Sequence, residues 1–181
     1  MSRIIVWAGH GPKEPGHDDP GVCSRDDENE ECEADWTTDL AAPLAAELRR
    51  LGHQVDDLVL GPYAQRAALA DAAGADLVIH LHGDTGTPGV YAYPGSLHGE
   101  AAAGAIHVAL EGALPWRVAL RSASSSFPRA RGLLARTRAP AVLVELVQQV
   151  QAEDARWLRA HLDEVAAVIA RGVQAWATVA G

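Results

Sequence analysis

Cysteine is scarce in this chain: Cys23 and Cys32 are the only two among 181 residues. They stand in an acidic, polar stretch with no CxxC pair and no ladder of spacings. That excludes a scaffold built on disulfides and a cysteine-rich zinc knuckle. A local bond between the two across their loop stays open. Positive charge is also in deficit. The formal net charge is -9, which argues against broad electrostatic attraction to nucleic acid or to an anionic membrane. No stretch approaches the roughly 20 apolar residues of a membrane span. The opening MSRIIVWAGHG lacks the basic start, the apolar run of roughly 7–15 residues and the cleavage site of a secretory signal. A cytoplasmic location is therefore expected, unless the chain leaves by a route it does not itself encode. Internal repeats and low-complexity tails are absent as well.

What is present is the composition of a globular protein, with 48% hydrophobic and 22% charged residues. The length suits one domain with a sizeable core, expected to span 1–181. Residues 3–8 (RIIVWA) read as a buried strand stopped by Gly-His-Gly, and 11–32 as a long loop rich in Gly, Pro, Asp and Glu. In 33–51 the residues Trp36, Leu40, Leu44, Leu48 and Leu51 recur at helical spacing; Gly52 follows as a stop, and Pro43 is placed to kink the helix. Further strands are predicted at 54–60, 76–82, 89–93, 117–121 and 140–147, with a Ser-rich turn after the fourth of these. Helices are predicted at 63–73, 99–111 and 153–178, the last broken at Gly172. Strands alternating with helices imply an α/β fold: a three-layer sandwich with a mixed, mostly parallel central sheet.

In such folds ligands sit beyond the carboxyl ends of the strands. His10 follows the first strand, His80 and His82 close the strand at 76–82, and Glu145 lies within PAVLVELV near the end of the last. Two imidazoles and a carboxylate at one sheet edge are the donors a catalytic zinc takes, with water in its open position. His80 and His82 share a face, so one can be a ligand while the other supports it from behind. Glu145 has a second reading, since a carboxylate in an apolar strand must be paired: an ion pair with Arg136 or Arg138 would satisfy it.

The same segments, taken in order, resemble the zinc-dependent N-acetylmuramoyl-L-alanine amidases, cell-wall hydrolases of amidase type 3. WAGHGPKEPG (residues 7–16) is similar to the family's DPGHGGxDPG; GVYAY to its GVEVYY; HLHGDT to its SIHANA; PAVLVELV to its PAVLVELGF. The resemblance spans essentially the whole chain. It implies His10, Glu33 and His82 as ligands of one zinc ion per chain, Glu33 by counting back from Gly52 through LAAELRRLG, in preference to Glu28, Glu30 or Glu31. It implies Glu145 as the catalytic carboxylate that takes the proton of the attacking water. The implied substrate is peptidoglycan, its fragments or muropeptides, cut between the muramoyl lactyl group and L-alanine, with no nucleic-acid partner. A phage-type lysin released to the wall would suit a chain with no leader.

This chain departs from the family pattern in several places. Trp7-Ala8 stand where the family has an aspartate, so either another group orients the first histidine or the metal is bound less tightly. His80 replaces a serine and is a candidate donor to substrate or oxyanion; a strand histidine with a local hydrogen bond is its plainer reading. Arg66 is a candidate substrate clamp or a structural ion-pair partner. His17 can cap the site or simply face solvent, and Tyr91 and Tyr93 can line a groove or pack in the core. His98, His107 and His161 carry no functional signal. An alanine-rich helical surface permits a dimer without demanding one. Three other functions compete: a zinc amidohydrolase or peptidase acting on a small acyl-amino acid or peptide, a non-catalytic binding relative, and a nucleotide-binding domain. GHGPKEPG matches neither GxGxxG nor GxxxxGK[ST], which counts against the last.

Overall fold

RIIVWA, LVIHLH and AVLVELV are apolar on both faces, and such strands are stable only where helices cover both sides of a sheet. The computed structural model bears this out over the residues it describes, 1–14, 17–25, 30–57, 63–123 and 128–180. In chain order the elements are β1 (Arg3–Ala8), β2 (Gly11–Glu14), β3 (His17–Asp19), β4 (Cys23–Arg25), β5 (Glu30–Cys32) and α1 (Glu33–Arg50). Then come β6 (Gln54–Asp57), α2 (Tyr63–Ala73), β7 (Leu77–Asp84), β8 (Gly89–Ala92) and α3 (Leu97–Leu110). The chain closes with β9 (Ala119–Ser122), α4 (Pro128–Leu134), β10 (Ala141–Gln148), α5 (Ala152–Ala160) and α6 (Leu162–Ala180).

Six strands form the central sheet in the order β6-β1-β7-β10-β8-β9. All neighbours are parallel except β10 and β8. Alternation along the strands sorts the core into two layers. Ile4, Val6, Ile79, Leu81, Val142 and Val144 face α1, α3 and α6. Ile5, Trp7, Val78, Tyr91 and Leu143 pack with Ala67 and Ala70 of α2 and Leu134 of α4. The result is the expected three-layer sandwich with a mixed, mostly parallel sheet.

Three local expectations need correction. The stretch 11–32 is not simply loop: β2 pairs with β3 and β4 with β5, both antiparallel, and a disulfide joins Cys23 to Cys32. The final helix divides at His161 rather than at Gly172. Gly172 sits where α6 crosses α3, and a Cβ there would lie 2.6 Å from the Ile106 Cα. It permits close helix packing and marks no break. Helix α4 had no counterpart in the sequence pattern. Helix α1 runs through Pro43, which is half-buried. Residues 58–60 of the predicted strand, the Ser-rich turn at 124–126, Glu28 and the His17 side chain lie outside the described residues.

Candidate metal centre

The parallel strands β1, β7 and β10 end at one edge of the sheet. β1 stops at Ala8, and Gly9 N–H donates to the Leu81 carbonyl at 2.8 Å. A Cβ on Gly9 would lie 2.5 Å from that oxygen and 2.6 Å from the His82 ring, so only glycine lets the chain pass there. His10 then adopts a left-handed backbone, φ 57°. A non-glycine residue held in that region is strained and is characteristic of functional sites. Its neighbours fix it. Thr37 Oγ1 donates to the Gly9 carbonyl at 2.8 Å, and Arg66 donates to the carbonyls of Ala8 at 2.6 Å and His10 at 3.4 Å. Arg66 is buried and lies behind the turn, holding backbone and facing away from the cavity.

Glu33, at the first turn of α1, reaches between the two histidines. His82 Nδ1 lies 2.8 Å from Glu33 Oε1, and His10 Nε2 lies 3.2 Å from Oε2. The Gly83 N–H donates to Oε1 at 2.9 Å and the Val22 N–H to Oε2 at 3.3 Å. Burial by itself would push the Glu33 carboxyl up; the hydrogen bonds from His10 and His82 and their charge outweigh it and bring it down to about 2. His10 shifts the other way: burial disfavours its charge, yet Glu33 and Asp19 together raise its pKa. His10, Glu33 and His82 can each offer a donor atom within 4.8 Å of the others. The buried Nε2 of His82 has no partner among the described residues. Two imidazoles and one carboxylate meeting at the wall of a cavity fit a three-ligand metal with an open position.

Glu145 stands beside His82 in the β7–β10 register. Its Oε2 is buried without a hydrogen-bond partner among the described residues. Burial first, and the charges of Glu33 and Asp84 after it, push its pKa well above the ordinary carboxylate range. The alternative ion pair does not form: Arg138 faces Asp71, and no described arginine pairs with Glu145. A cavity of about 640 Å³ opens over the group, lined by His10, Asp19, Glu33, His82, Asp84, Arg136, Leu143 and Glu145.

The remaining candidates lie elsewhere. His80 is fully buried one pair below His82, edge-on to Trp7, and does not line the cavity. Tyr91 is in the core, and Tyr93 packs under Arg131. His107 faces the Val118 carbonyl across 3.1 Å. A second cluster, Cys23, Glu30 and Cys32, offers no thiolate because its sulfurs are bonded to each other. Reasoning from sequence passed over Asp19 as a residue of this cavity, its only signal being membership of an acidic loop; Arg136, considered there as an ion-pair partner for Glu145, lines the cavity without forming that pair.

Residues 4–175 match the family described as "N-acetylmuramoyl-L-alanine amidase". No curated protein matches significantly. Among solved structures, the chain is similar to the N-acetylmuramoyl-L-alanine amidase AmiC2 of Nostoc punctiforme, at 19% identity and a TM-score of 0.76 over 98% of this chain and 97% of that one. It is also similar to Cwp6 from Clostridium difficile, at 18% identity and a TM-score of 0.77, covering 98% of this chain and 29% of that one. A third similarity is to the CwlD amidase from Clostridioides difficile in complex with the GerS lipoprotein, at 19% identity and a TM-score of 0.73 over 99% and 100% of the two chains. At these identities the likeness is one of fold.

Proposed function

The chain belongs to the N-acetylmuramoyl-L-alanine amidase family, and from that premise we propose that it hydrolyses the amide between the muramoyl lactyl group and L-alanine of peptidoglycan, using one zinc ion per chain. One observation carries the reading: His10, Glu33 and His82 converge beside Glu145, whose buried Oε2 has no partner among the described residues, at the wall of one cavity. His10, Glu33 and His82 would hold the zinc. When bound, the metal supplies Lewis acidity, which acidifies water and polarises the scissile carbonyl.

The protein's own groups do the rest. Glu145 accepts the proton of the attacking water and returns it to the leaving nitrogen. Its burial beside Leu143 at the cavity wall and its nearness to Glu33 and Asp84 favour the protonated form, and a bound cation would counter that bias. A carboxyl held above the ordinary carboxylate range is suited to taking and returning a proton. The left-handed turn at His10 is locked by Thr37 and Arg66, so the imidazole is held in place from its backbone. Wall substrate lies outside the cytoplasmic membrane, and a Cys23–Cys32 bond persists in oxidising surroundings. Both favour action at the wall over the cytoplasmic alternative.

The test uses purified peptidoglycan and a short N-acyl-alanine side by side. Newly exposed alanine amino groups are measured with wild type and Glu145→Gln. Release from the wall, cut by at least about 100-fold in Glu145→Gln with zinc content unchanged, is the expected result. Turnover of the small substrate alone would move the protein to the amidohydrolase reading.

A further inference from the structure

The family pattern places an aspartate ahead of its first histidine; here Trp7 and Ala8 occupy that ground, and both are buried apolar residues that supply packing and no carboxylate. His10 nevertheless faces one. Asp19 Oδ2 lies 3.0 Å from His10 Nδ1. It comes from β3, which folds back on β2 so that Asp19 pairs with Gly11. The Asp19 side chain is itself fixed, since its Oδ1 accepts the Gly21 N–H at 3.2 Å. With Nδ1 turned to Asp19, Nε2 is the nitrogen turned towards Glu33.

The segment that carries Asp19 also grips Glu33. The Glu33 N–H donates to the Val22 carbonyl at 2.9 Å and the Ala34 N–H to the Pro20 carbonyl at 3.0 Å. Gly21, at φ +73°, presses against both ligands: a Cβ there would lie 2.8 Å from Glu33 Oε2 and 2.8 Å from His10 Cδ2. One residue beyond Val22, Cys23 is bonded to Cys32, which immediately precedes Glu33. Residues 19–23 thus run as a strap across the two ligands that come from β1 and α1.

We propose that Asp19 is the positioning residue for the His10 imidazole, in place of the family's missing aspartate, and that the Cys23–Cys32 bond holds its strap in register with Glu33. The proposal rests on the zinc reading above. A carboxylate behind a ligand histidine fixes the ring's orientation and raises its basicity, and losing such a partner typically weakens metal binding by about 10–100-fold. The disulfide acts one step further out, by restricting how far residues 19–22 can leave Glu33.

The experiment measures zinc affinity by competition with a chromogenic chelator for wild type, Asp19→Ala, Asp19→Asn, the pair Cys23→Ser/Cys32→Ser, and that pair combined with Asp19→Ala. The visible spectrum of the cobalt-substituted protein serves as a second readout. Thermal unfolding of each metal-stripped variant identifies any that fail to fold. The expected losses are about 10–100-fold for Asp19→Ala, less for Asp19→Asn, which keeps an acceptor, and less again for the serine pair. Asp19→Ala should cost less in the serine background than alone, because the strap is already loose there. Its cobalt spectrum should change. Tight zinc binding by wild type with an unchanged affinity and spectrum in Asp19→Ala would overturn the role of Asp19 and leave the zinc reading standing. A serine pair with wild-type affinity and strictly additive effects would overturn the role of the disulfide. A wild type that binds no zinc would overturn the zinc reading itself, before any variant is compared.

Discussion

His80 and His82 lie on the same strand and the same face, two residues apart, yet the sheet interior and its carboxyl rim give them opposite fates. His80 is sealed under Trp7 with both ring nitrogens unpartnered among the described residues. Burial, followed by the charges of His82 and Arg66, drives its pKa well below the usual histidine value, so it is an uncharged packing element. His82 stands one pair further along, where β1 has already ended, and its ring meets Glu33 at the cavity wall. One step along a strand separates a core position from a position on the cavity wall, because the neighbouring strand that would cover the second has turned away.

The largest effect that would sharpen this contrast is expected at His82. His82→Ala should lose stoichiometric zinc, measured by elemental analysis, while the fold persists in circular dichroism. Retention of a full equivalent would break the assignment of the rim.

Acid stability comes next. Glu33 is lowered to about 2 from an ordinary 4.5. Its contribution is therefore complete above about 4.5 and is lost as pH falls towards about 2. For metal-stripped protein, urea unfolding should show on the order of 2 kcal/mol less stability from this group at about pH 3 than at about pH 5.5, a difference that disappears in Glu33→Gln. The interior contributes in the same direction at higher pH. A histidine held neutral by burial costs stability once the unfolded chain begins to protonate, below about 6.5. His10 opposes it, because its pKa is raised: its contribution is present below 6.5 and fades as pH rises through the shifted value. An acid profile of Glu33→Gln that matches wild type would show that the carboxylate is not held by the histidines.

The smallest effect belongs to His80. Replacing a buried ring that has no hydrogen-bond partner by an apolar side chain of similar size is close to neutral or stabilising, by about 1 kcal/mol. His80→Leu should leave zinc affinity within about threefold of wild type and reduce the loss of stability in mild acid. A collapse of zinc binding in that variant would erase the distinction between interior and rim.

The parts of the molecule legible in the sequence are those fixed by local pattern. RIIVWA and AVLVELV could be nothing but strands covered on both faces, and Trp36, Leu40, Leu44 and Leu48 mark the buried stripe of α1. His10, Glu145 and the pair His80 and His82 followed from where those strands stop, while the choice of His82 and of Glu33 came from the family resemblance. The two ribbons between residues 11 and 32 were not legible, because their strands are three or four residues long and carry no apolar alternation. Gly172 looked like a break because a glycine in a helix usually weakens it; what keeps it there is the Ile106 backbone, 66 positions away in the chain. His161, whose Nδ1 faces the Trp157 carbonyl, gave no comparable signal.

By itself, then, the sequence determined the layered α/β architecture and the order in which the chemistry-bearing residues reach one edge, since periodicity and strand length are properties of neighbouring residues. The tertiary structure decided which histidine faces the cavity, that Glu145 has no arginine partner among the described residues, and that Asp19 and the Cys23–Cys32 bond lie against His10 and Glu33. Each of those depends on which backbone passes within a few ångströms of a side chain from far along the chain, and no local pattern records that distance.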